Sequence, residues 1–395
     1  MVEVILFSLS GLSVVIWLYL LFFWGQFWRA DQRLDTPLSL DADIDIERWP
    51  AVAVVIPARN EAELIGKAVR SHLNQTYPGD LSIVLIDDQS TDQTSVIAAQ
   101  VAQDLGKSEA LTILPGSPLP PGWTGKLWAM EQGYRFLQQH SPDYILFTDA
   151  DIEHTPQNTQ QLITKAETEG LDLVSLMVQL RCQSFWEKQL IPAFVFFFQM
   201  LYPFPWVNNP NRKTAAAAGG CTFIRFSALN NIQGLQPIRH ALIDDCALGT
   251  AIKANGSIWL GLSTTTRSLR KYPTLQNIWA MVTRSAYTQL NYSPWLLVGT
   301  VFGMALVYLL PPISVLLGLY LGAWPVTTMG LTGWLLMAIS YRPTLQLYSG
   351  TFLQALGLPA VALLYTAMTL DSARQHWAGK GGTWKGRVYT EATER

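Results

Sequence analysis

Apolar positions follow two patterns along this chain. Toward each end they form long blocks with almost no charge. In the middle they form short runs separated by polar turns. Val52–Ile56, Ile83–Ile86, Leu111–Leu114 and Tyr144–Phe147 are four such runs. Short apolar runs of this kind suit strands covered on both faces of a parallel sheet. Between the first two, Leu64, Ile65, Ala68, Val69 and Leu73 recur at helical spacing. After the second, Ser90 or Thr91 is placed to cap a helix with Asp92 in its first turn. Strand–helix alternation from about 50 to 290 predicts an α/β domain with a mostly parallel, Rossmann-like sheet and helices on both faces.

The terminal blocks read differently. Val4–Trp24 is nearly uncharged and long enough to cross a bilayer, and Gln26-Phe27-Trp28-Arg29 supplies aromatic and cationic flanks. A cleaved signal peptide is the competing reading. Glu3 is the only early charge and no small-residue cleavage site follows, which favours a retained anchor over residues 1–28. Arg29 and Arg33 then put the next domain in the cytosol. A second block over 295–372 contains Trp295–Gly322, Val326–Ser340 and Thr351–Leu370, and a basic tail over 373–395 carries Arg374, Lys380, Lys385 and Arg387. The first of these segments is either one long span kinked at Pro311-Pro312 or two re-entrant pieces. Arg342 and the tail both ask for the cytosolic side. Three simple spans cannot satisfy both, so one segment is expected to be re-entrant or interfacial. Phe185–Val207 is aromatic but interrupted by Glu187, Lys188 and prolines. It reads as a helix lying in the membrane surface, with Phe194, Phe196, Phe197, Phe198 and Tyr202 against the bilayer.

Composition agrees with a membrane protein. Of 395 residues, 49% are hydrophobic and only 14% charged, below the usual charged fraction of a soluble domain. A net charge of −2 gives no electrostatic basis for nucleic-acid binding. Cys182, Cys221 and Cys246 lack metal-ligand spacing and read as free thiols in a reducing compartment.

Candidate chemistry sits at the strand ends. The first run ends in Arg59-Asn60-Glu61, the second in Asp87-Asp88 and the fourth in Asp149-Ala150-Asp151. Open α/β sheets bind ligands at their carboxyl edge. Hard divalent cations take oxygen ligands and bridge to substrate phosphates, so Asp149 and Asp151 are candidates to hold Mg²⁺ or Mn²⁺ on a nucleotide diphosphate. Asp244-Asp245 is a further acidic pair at a helix start, and Gly219-Gly220-Cys221 allows close backbone approach.

Together the segments Val54-Val55-Ile56-Pro57-Ala58-Arg59-Asn60-Glu61, Ile86-Asp87-Asp88-Gln89-Ser90-Thr91-Asp92 and Thr148-Asp149-Ala150-Asp151 resemble the family 2 glycosyltransferases of the GT-A fold. The resemblance implies that the early loop, with Pro57, Arg59 and Glu61, and the Asp-Asp segment hold the nucleoside of a UDP-sugar, with Asp88 its contact. Gly125-Lys126 resembles the family's Gly-Lys, which implies that Lys126 lies near the nucleotide or its phosphates. Ile243-Asp244-Asp245-Cys246-Ala247-Leu248-Gly249 resembles Glu-Asp-x-x-Leu-Gly, with Asp244 in place of Glu. By that resemblance Asp245 is the general base of an inverting transfer. Met281-Val282-Thr283-Arg284-Ser285 aligns with Gln/Arg-x-x-Arg-Trp but keeps only the Arg. The missing Trp speaks against processive polymer synthesis and for transfer of one sugar, with Arg284 and Arg270 as diphosphate contacts.

Finer features resemble the hopene-associated glycosyltransferases of bacteria, relatives of ceramide glucosyltransferases. These are Gly122-Trp123-Thr124-Gly125-Lys126, Arg284–Leu290 and Trp384-Lys385-Gly386-Arg387. They imply a multi-pass enzyme of a bacterial membrane with a cytosolic catalytic domain, a nucleotide-sugar donor and a hopanoid, other isoprenoid or glycolipid acceptor. Carotenoid or diacylglycerol glycosyltransferases, a processive polysaccharide synthase and an inactive membrane scaffold are the alternatives. A scaffold has no need for Asp88, Asp149, Asp151 and Asp245 together.

Overall fold

The computed structural model describes residues 1–34 and 48–379, with two short strands, Thr383–Trp384 and Arg387–Val388, beyond them. Lys380 and Lys385 of the basic tail lie outside the described residues. The chain forms two units. One comprises Asp31–Arg181, Trp206–Lys271 and Thr383–Arg395; the other comprises Met1–Ala30, Cys182–Pro205 and Tyr272–Gly382.

The first unit is built on an eight-stranded sheet. Its strands are β1 (Val52–Ala58), β2 (Leu81–Asp87), β3 (Leu111–Pro115), β4 (Tyr144–Phe147), β5 (Ile152–His154), β6 (Leu173–Gln179), β7 (Thr222–Arg225) and β8 (Ile258–Ser268), in the order β3-β2-β1-β4-β7-β6-β8-β5. The four apolar runs are β1 to β4, and they pair in parallel. The second half departs from the expected pattern. β7 is antiparallel to both β4 and β6, and β5 is antiparallel to β8, so the sheet is mixed. Every residue of β1 is buried, as a central strand covered on both faces requires. In register, Ala58 pairs with Asp87 and Val55 with Phe147. The carboxyl ends of β2, β1 and β4 therefore reach one edge side by side.

Helices α2 (Ile65–Leu73), α3 (Thr94–Asp104), α4 (Gly125–Leu137) and α5 (Asn158–Glu169) belong to this unit, as do the short α8 (Phe226–Asn231) and α9 (Asp244–Lys253). α2 buries Ile65, Ala68, Val69 and Leu73, the periodic positions of the sequence. The cap of α3 differs from expectation. The helix begins at Thr94, and it is Asp92 that accepts the Thr94 amide at 3.0 Å. Ser90 and Thr91 instead bond Asn60 of the neighbouring strand end. They serve the sheet edge because a loop there has its own donors to satisfy.

The second unit is helical: α1 (Val2–Phe23), α6 (Phe185–Leu201), α10 (Leu275–Thr283), α11 (Pro294–Met304), α12 (Leu310–Leu321), α13 (Trp324–Leu347), α14 (Phe352–Leu356) and α15 (Leu358–Trp377). A short α7 (Phe204–Val207) follows α6. A π-helical turn over Ala305–Leu309 joins α11 to α12, so Pro294–Leu321 is one continuous helix. The irregularity lies just before Pro311-Pro312, where a proline frees the preceding turn from regular bonding. Its Val307 carbonyl accepts the Trp17 indole N–H at 2.9 Å. α12 and α13 pack closely: a Cβ on Gly318 would lie 2.4 Å from Thr327 Oγ1. Backbones approach at small residues where helices pack without a water-driven force.

The aromatic segment of α6 does not face outward as expected. Phe196 is fully buried, with its ring 5.4 Å from Phe27 and 5.2 Å from Tyr341, while Phe197 packs on Tyr308 and Tyr365. These two phenylalanines are core of the helical unit. Rings this large contribute more in contact with several neighbours than on an outer face.

Candidate active site

Three carboxylate groupings meet loops at the carboxyl edge of the sheet in the α/β unit. The first couples the ends of β1 and β2. The Arg59 guanidinium donates to the Asp88 carbonyl at 2.5 Å and lies 3.8 Å from the Asp88 carboxylate, which is fully buried. Asn60 and Gln89 both adopt positive φ, at 52° and 55°, a conformation uncommon outside glycine that Asn tolerates better than most. Asp87, beside Asp88, accepts the Ser90 amide at 2.9 Å and the Ser95 hydroxyl. Asp87 thus ties the loop to α3, while Asp88 faces Arg59. Pro57 is a buried residue of β1, in register with Ile86.

The second grouping holds Asp151. Arg270 Nη2 donates to Glu61 Oε1 at 2.7 Å and to Asp151 Oδ1 at 3.2 Å, and the Ser268 hydroxyl donates to Asp151 Oδ2 at 2.7 Å. Both oxygens of Asp151 are therefore engaged. Burial works against the Arg270 charge, but Asp151 and Glu61 outweigh it and raise its pKa further.

The third grouping centres on Lys126 in the first turn of α4. Its ammonium lies 2.9 Å from Asp149 and 3.0 Å from Asp244. Burial disfavours this cation, yet Asp149 and Asp244 more than compensate and keep it firmly protonated. The Asp149 carboxyl is pushed up by burial and by Asp151, with Lys126 opposing. Asp245 follows Asp244 at the start of α9. Its Oδ2 accepts the Gly219 amide at 2.9 Å and its Oδ1 the Cys246 amide at 2.8 Å. Burial and the charge of Asp244 raise its pKa to about 6. A Cβ on Gly219 would sit 3.0 Å from Lys126 Nζ and 3.5 Å from Asp245 Oδ2, so a side chain here would press on the cluster.

Lys126, Asp149, Asp244 and Asp245 thus form one cluster, and Glu61, Asp151 and Arg270 another. Arg59 and Asp88 join the first two strand ends. Arg284 belongs to the helical unit, where it is exposed at the C-terminal end of α10. Sequence reading missed the residues that fix the carboxylates. Ser268 is 117 positions from Asp151 and lies in an antiparallel strand pair that no local pattern announced. Thr148, just before Asp149, donates to the Gly220 carbonyl and touches His154, whose ring stacks near His72. Burial lowers both histidine pKa values, to about 4 for His154. They are neutral supports behind the edge. A cleft of about 520 Å³, bordered by Tyr134, Gln138, Phe226 and Asn230, shares no residue with the carboxylate clusters.

Among the described residues no three His, Cys, Asp or Glu side chains are arranged to hold a metal by themselves. Mg²⁺ commonly takes only one or two carboxylates and completes its shell with phosphates and water. Asp149, a third exposed, and Asp244 at the same ammonium present that donor type. The oxygen-rich edge therefore fits a divalent ion shared with a diphosphate.

Comparison with known proteins fits this arrangement. Residues 53–233 match the family model for glycosyl transferase family 2. The chain is 30% identical over 154 residues to a glucosyl-3-phosphoglycerate synthase of Mycolicibacterium smegmatis, covering 38% of this chain and 48% of the relative. It is 27% identical over 146 residues to an undecaprenyl-phosphate 4-deoxy-4-formamido-L-arabinose transferase of Enterobacter sp. (strain 638), covering 36% and 42%. The chain thus aligns with less than half the length of these two curated relatives. Among solved structures it superposes on a mannosyltransferase from Pyrobaculum calidifontis, determined with GDP-mannose and Mn²⁺, with a TM-score of 0.53, 17% identity, and coverage of 95% of this chain and 99% of that one. That likeness concerns the fold. The α/β unit carries a family 2 glycosyltransferase domain with the GT-A architecture.

Proposed function

We propose that this family 2 glycosyltransferase moves one sugar, with inversion, from a nucleotide sugar to a lipid held in the bilayer. The observation that carries the reading is the convergence of Lys126, Asp149, Asp244 and Asp245 at the sheet edge. Asp88 and the loop of Pro57, Arg59 and Glu61 are assigned to the nucleoside, and Lys126 and Arg270 to the diphosphate. Asp149, with Asp244 beside it, is assigned to a divalent metal. That ion, Mg²⁺ or Mn²⁺, supplies charge for the departing diphosphate. Asp151 shapes this edge by fixing Arg270, since both its oxygens are already bonded. Two backbone N–H groups orient the Asp245 carboxylate. It takes the acceptor proton as the acceptor oxygen bonds to the anomeric carbon and the bond to the diphosphate breaks.

Two similar proteins bear on donor and acceptor. One neighbour was solved with GDP-mannose and Mn²⁺, and one relative acts on undecaprenyl phosphate. The first supports a nucleotide sugar and a divalent ion, the second an isoprenoid-type lipid. Two acceptors remain within that class. A hydroxyl-bearing lipid such as a hopanoid must lose a proton, whereas a lipid phosphate attacks with an oxygen already charged. Asp245, ionised above about pH 6 and held by two donors, favours the hydroxyl acceptor. Arg29 and Arg33 flanking the first apolar helix support a catalytic domain in the cytosol, and the resemblance to bacterial lipid glycosyltransferases supports a bacterial membrane.

The test is direct. Purified protein is incubated with radiolabelled UDP- and GDP-sugars, Mn²⁺ and total membrane lipid, and the products are separated. One labelled lipid bearing a single sugar supports the reading. A ladder of longer products would make the protein a polymerase, and no labelled lipid with any donor would refute the transfer.

A further inference from the structure

The helical unit has two distinguishable ends. Arg29, Arg284, Arg342 and Arg374 mark one; Met1 and the α12–α13 turn at Gly322-Ala323 mark the other, whose nearby residues carry only Glu3 as a charge. By length and composition, three segments suit a bilayer: Val2–Phe23, Phe185–Val207 and Pro294–Leu321. Contacts within the unit reassign them. Both ends of α6 meet the connection that follows Lys271. Glu187 Oε1 accepts the Tyr272 amide at 2.7 Å, and the Tyr202 hydroxyl accepts Gln289 Nε2 at 2.5 Å. α6 therefore starts and finishes at the arginine-bearing end.

α13 takes its place as a crossing helix. Its 24 residues measure about 36 Å, enough for a hydrocarbon core of about 30 Å. Arg342, near its C-terminus, is its sole charge. It runs back along α12 from the opposite end, and Ser10 of α1 bonds Ser314 of α12 at 2.8 Å within the same bundle.

The chain then turns at Ser349-Gly350, where the Gly350 amide bonds the Leu345 carbonyl at 2.8 Å. α14 heads back beside α13. It stops where the Leu356 carbonyl accepts the Trp334 indole N–H at 3.0 Å. Trp334 lies 13 residues before the end of α13, about 20 Å along its axis. That depth is mid-bilayer, and there the chain reverses. α15 returns to the arginine-bearing end, where Asp371 accepts the Trp279 indole at 2.8 Å, Ser372 bonds Thr283 and Tyr287, and His376 stacks on Tyr292. Phe352, Leu353, Leu363 and Leu370 stay exposed along this pair, as they would against acyl chains.

We propose that α14 and α15 form a re-entrant helical hairpin that enters the bilayer from the arginine-bearing face, reaches its middle and leaves by the same face. The lipid bilayer is the occupant of its outer surface. Three helices then cross, namely α1, α11–α12 and α13, and Arg342 and Arg374 share one side without a fourth crossing. That pairing meets the tendency of basic residues to stay cytosolic, which three spans over the C-terminal block could not.

Single cysteines at Trp324, Ser349, Ala360 and Ala378, introduced one at a time into the full chain, test this. Labelling uses a membrane-impermeant maleimide on right-side-out and inverted vesicles. Chains lacking the added cysteine control for Cys182, Cys221 and Cys246. The expected result is that Trp324→Cys, exposed at the α12–α13 turn, labels from one face, Ser349→Cys and Ala378→Cys from the other, and Ala360→Cys from neither until detergent is added. Ala378→Cys labelled on the Trp324 face would mean that α15 crosses, and the proposal fails. Ala360→Cys labelled in sealed vesicles of either orientation also refutes it. Trypsin on sealed vesicles of the unsubstituted chain gives an independent reading: loss of the basic tail must occur in the orientation that exposes Ser349→Cys, and loss in the other orientation overturns the hairpin.

Discussion

The two carboxylates Asp149 and Asp151 stand one residue apart, yet their surroundings differ sharply. The Asp151 side chain is 9% exposed, with Ser268 and Arg270 filling both oxygens. The Asp149 side chain is 34% exposed and meets Lys126, which it shares with Asp244. The first is a closed network whose partners are all protein groups. The second is more open, and its protein cation is a lysine placed between two carboxylates. Position along the chain explains the split: Asp149 follows β4, whereas Asp151 directly precedes β5, whose pairing with β8 brings Ser268 beside it. Two carboxylates in one short motif can therefore divide the work: one builds the edge and the other meets the ligand.

Breaking the open side should cost most. Asp245→Asn should lower transfer to a hydroxyl acceptor by about a thousandfold, within the usual range for a general base. Calorimetry should show nucleotide binding nearly unchanged, since proton removal matters in the transition state. A lipid-phosphate acceptor needs no base, so a small effect of this variant would point to that acceptor instead. Asp149→Asn should cost about a hundredfold in rate with little change in melting temperature, and excess EDTA should match it. Full activity in EDTA would remove the metal from the scheme. Lys126→Met should weaken donor binding by about tenfold to a hundredfold, the scale of a charge-assisted hydrogen bond. Unchanged donor affinity, read by calorimetry with the nucleotide, would confine Lys126 to a structural role.

On the closed side the signature moves from rate to stability. Asp151→Asn should destabilise the fold by about 1–3 kcal/mol, because Arg270 and Ser268 lose a buried acceptor. A denaturant series should show a lower midpoint than for Asp149→Asn, and equal midpoints would dissolve the distinction. The mildest probe is pH. Asp245 acts only when ionised, so transfer should fall about tenfold per unit below about pH 6 and level off above it. Its stability contribution runs the other way. A folded pKa raised to about 6 stabilises fully below the unfolded value of about 3.9 and loses that contribution as pH rises through 6. A flat rate profile between pH 5 and 7 would exclude Asp245 as the base.

How much of this was legible in the sequence depended on distance along the chain. β1 to β4 were legible because a central parallel strand is apolar throughout, and their polar ends were legible because they follow directly. β5, β7 and β8 were not, since their pairing joins residues such as Glu153 and Arg267 that no local pattern connects. The clusters show the same limit. Asp149, Asp244 and Lys126 were each visible, but nothing local says that one ammonium bridges both carboxylates. In α6 the run of phenylalanines reads, in sequence alone, as a lipid-facing surface. Composition cannot distinguish a ring facing lipid from one packed on Phe27 and Tyr341.

The π-helical turn at Ala305–Leu309 sets a phase. Such a turn carries one residue more than an α-helical path would need, and each residue of an α-helix advances the face by about 100°. Everything after it on α12 is clocked by that extra residue. Deleting Val307 would restore a regular helix and swing Ser314 away from Ser10 and Gly318 away from Thr327. The local geometry would improve while the bundle lost its fit, and the shortened chain would melt earlier than the intact one. The irregular turn therefore works as the timing mark that brings distant contacts into step.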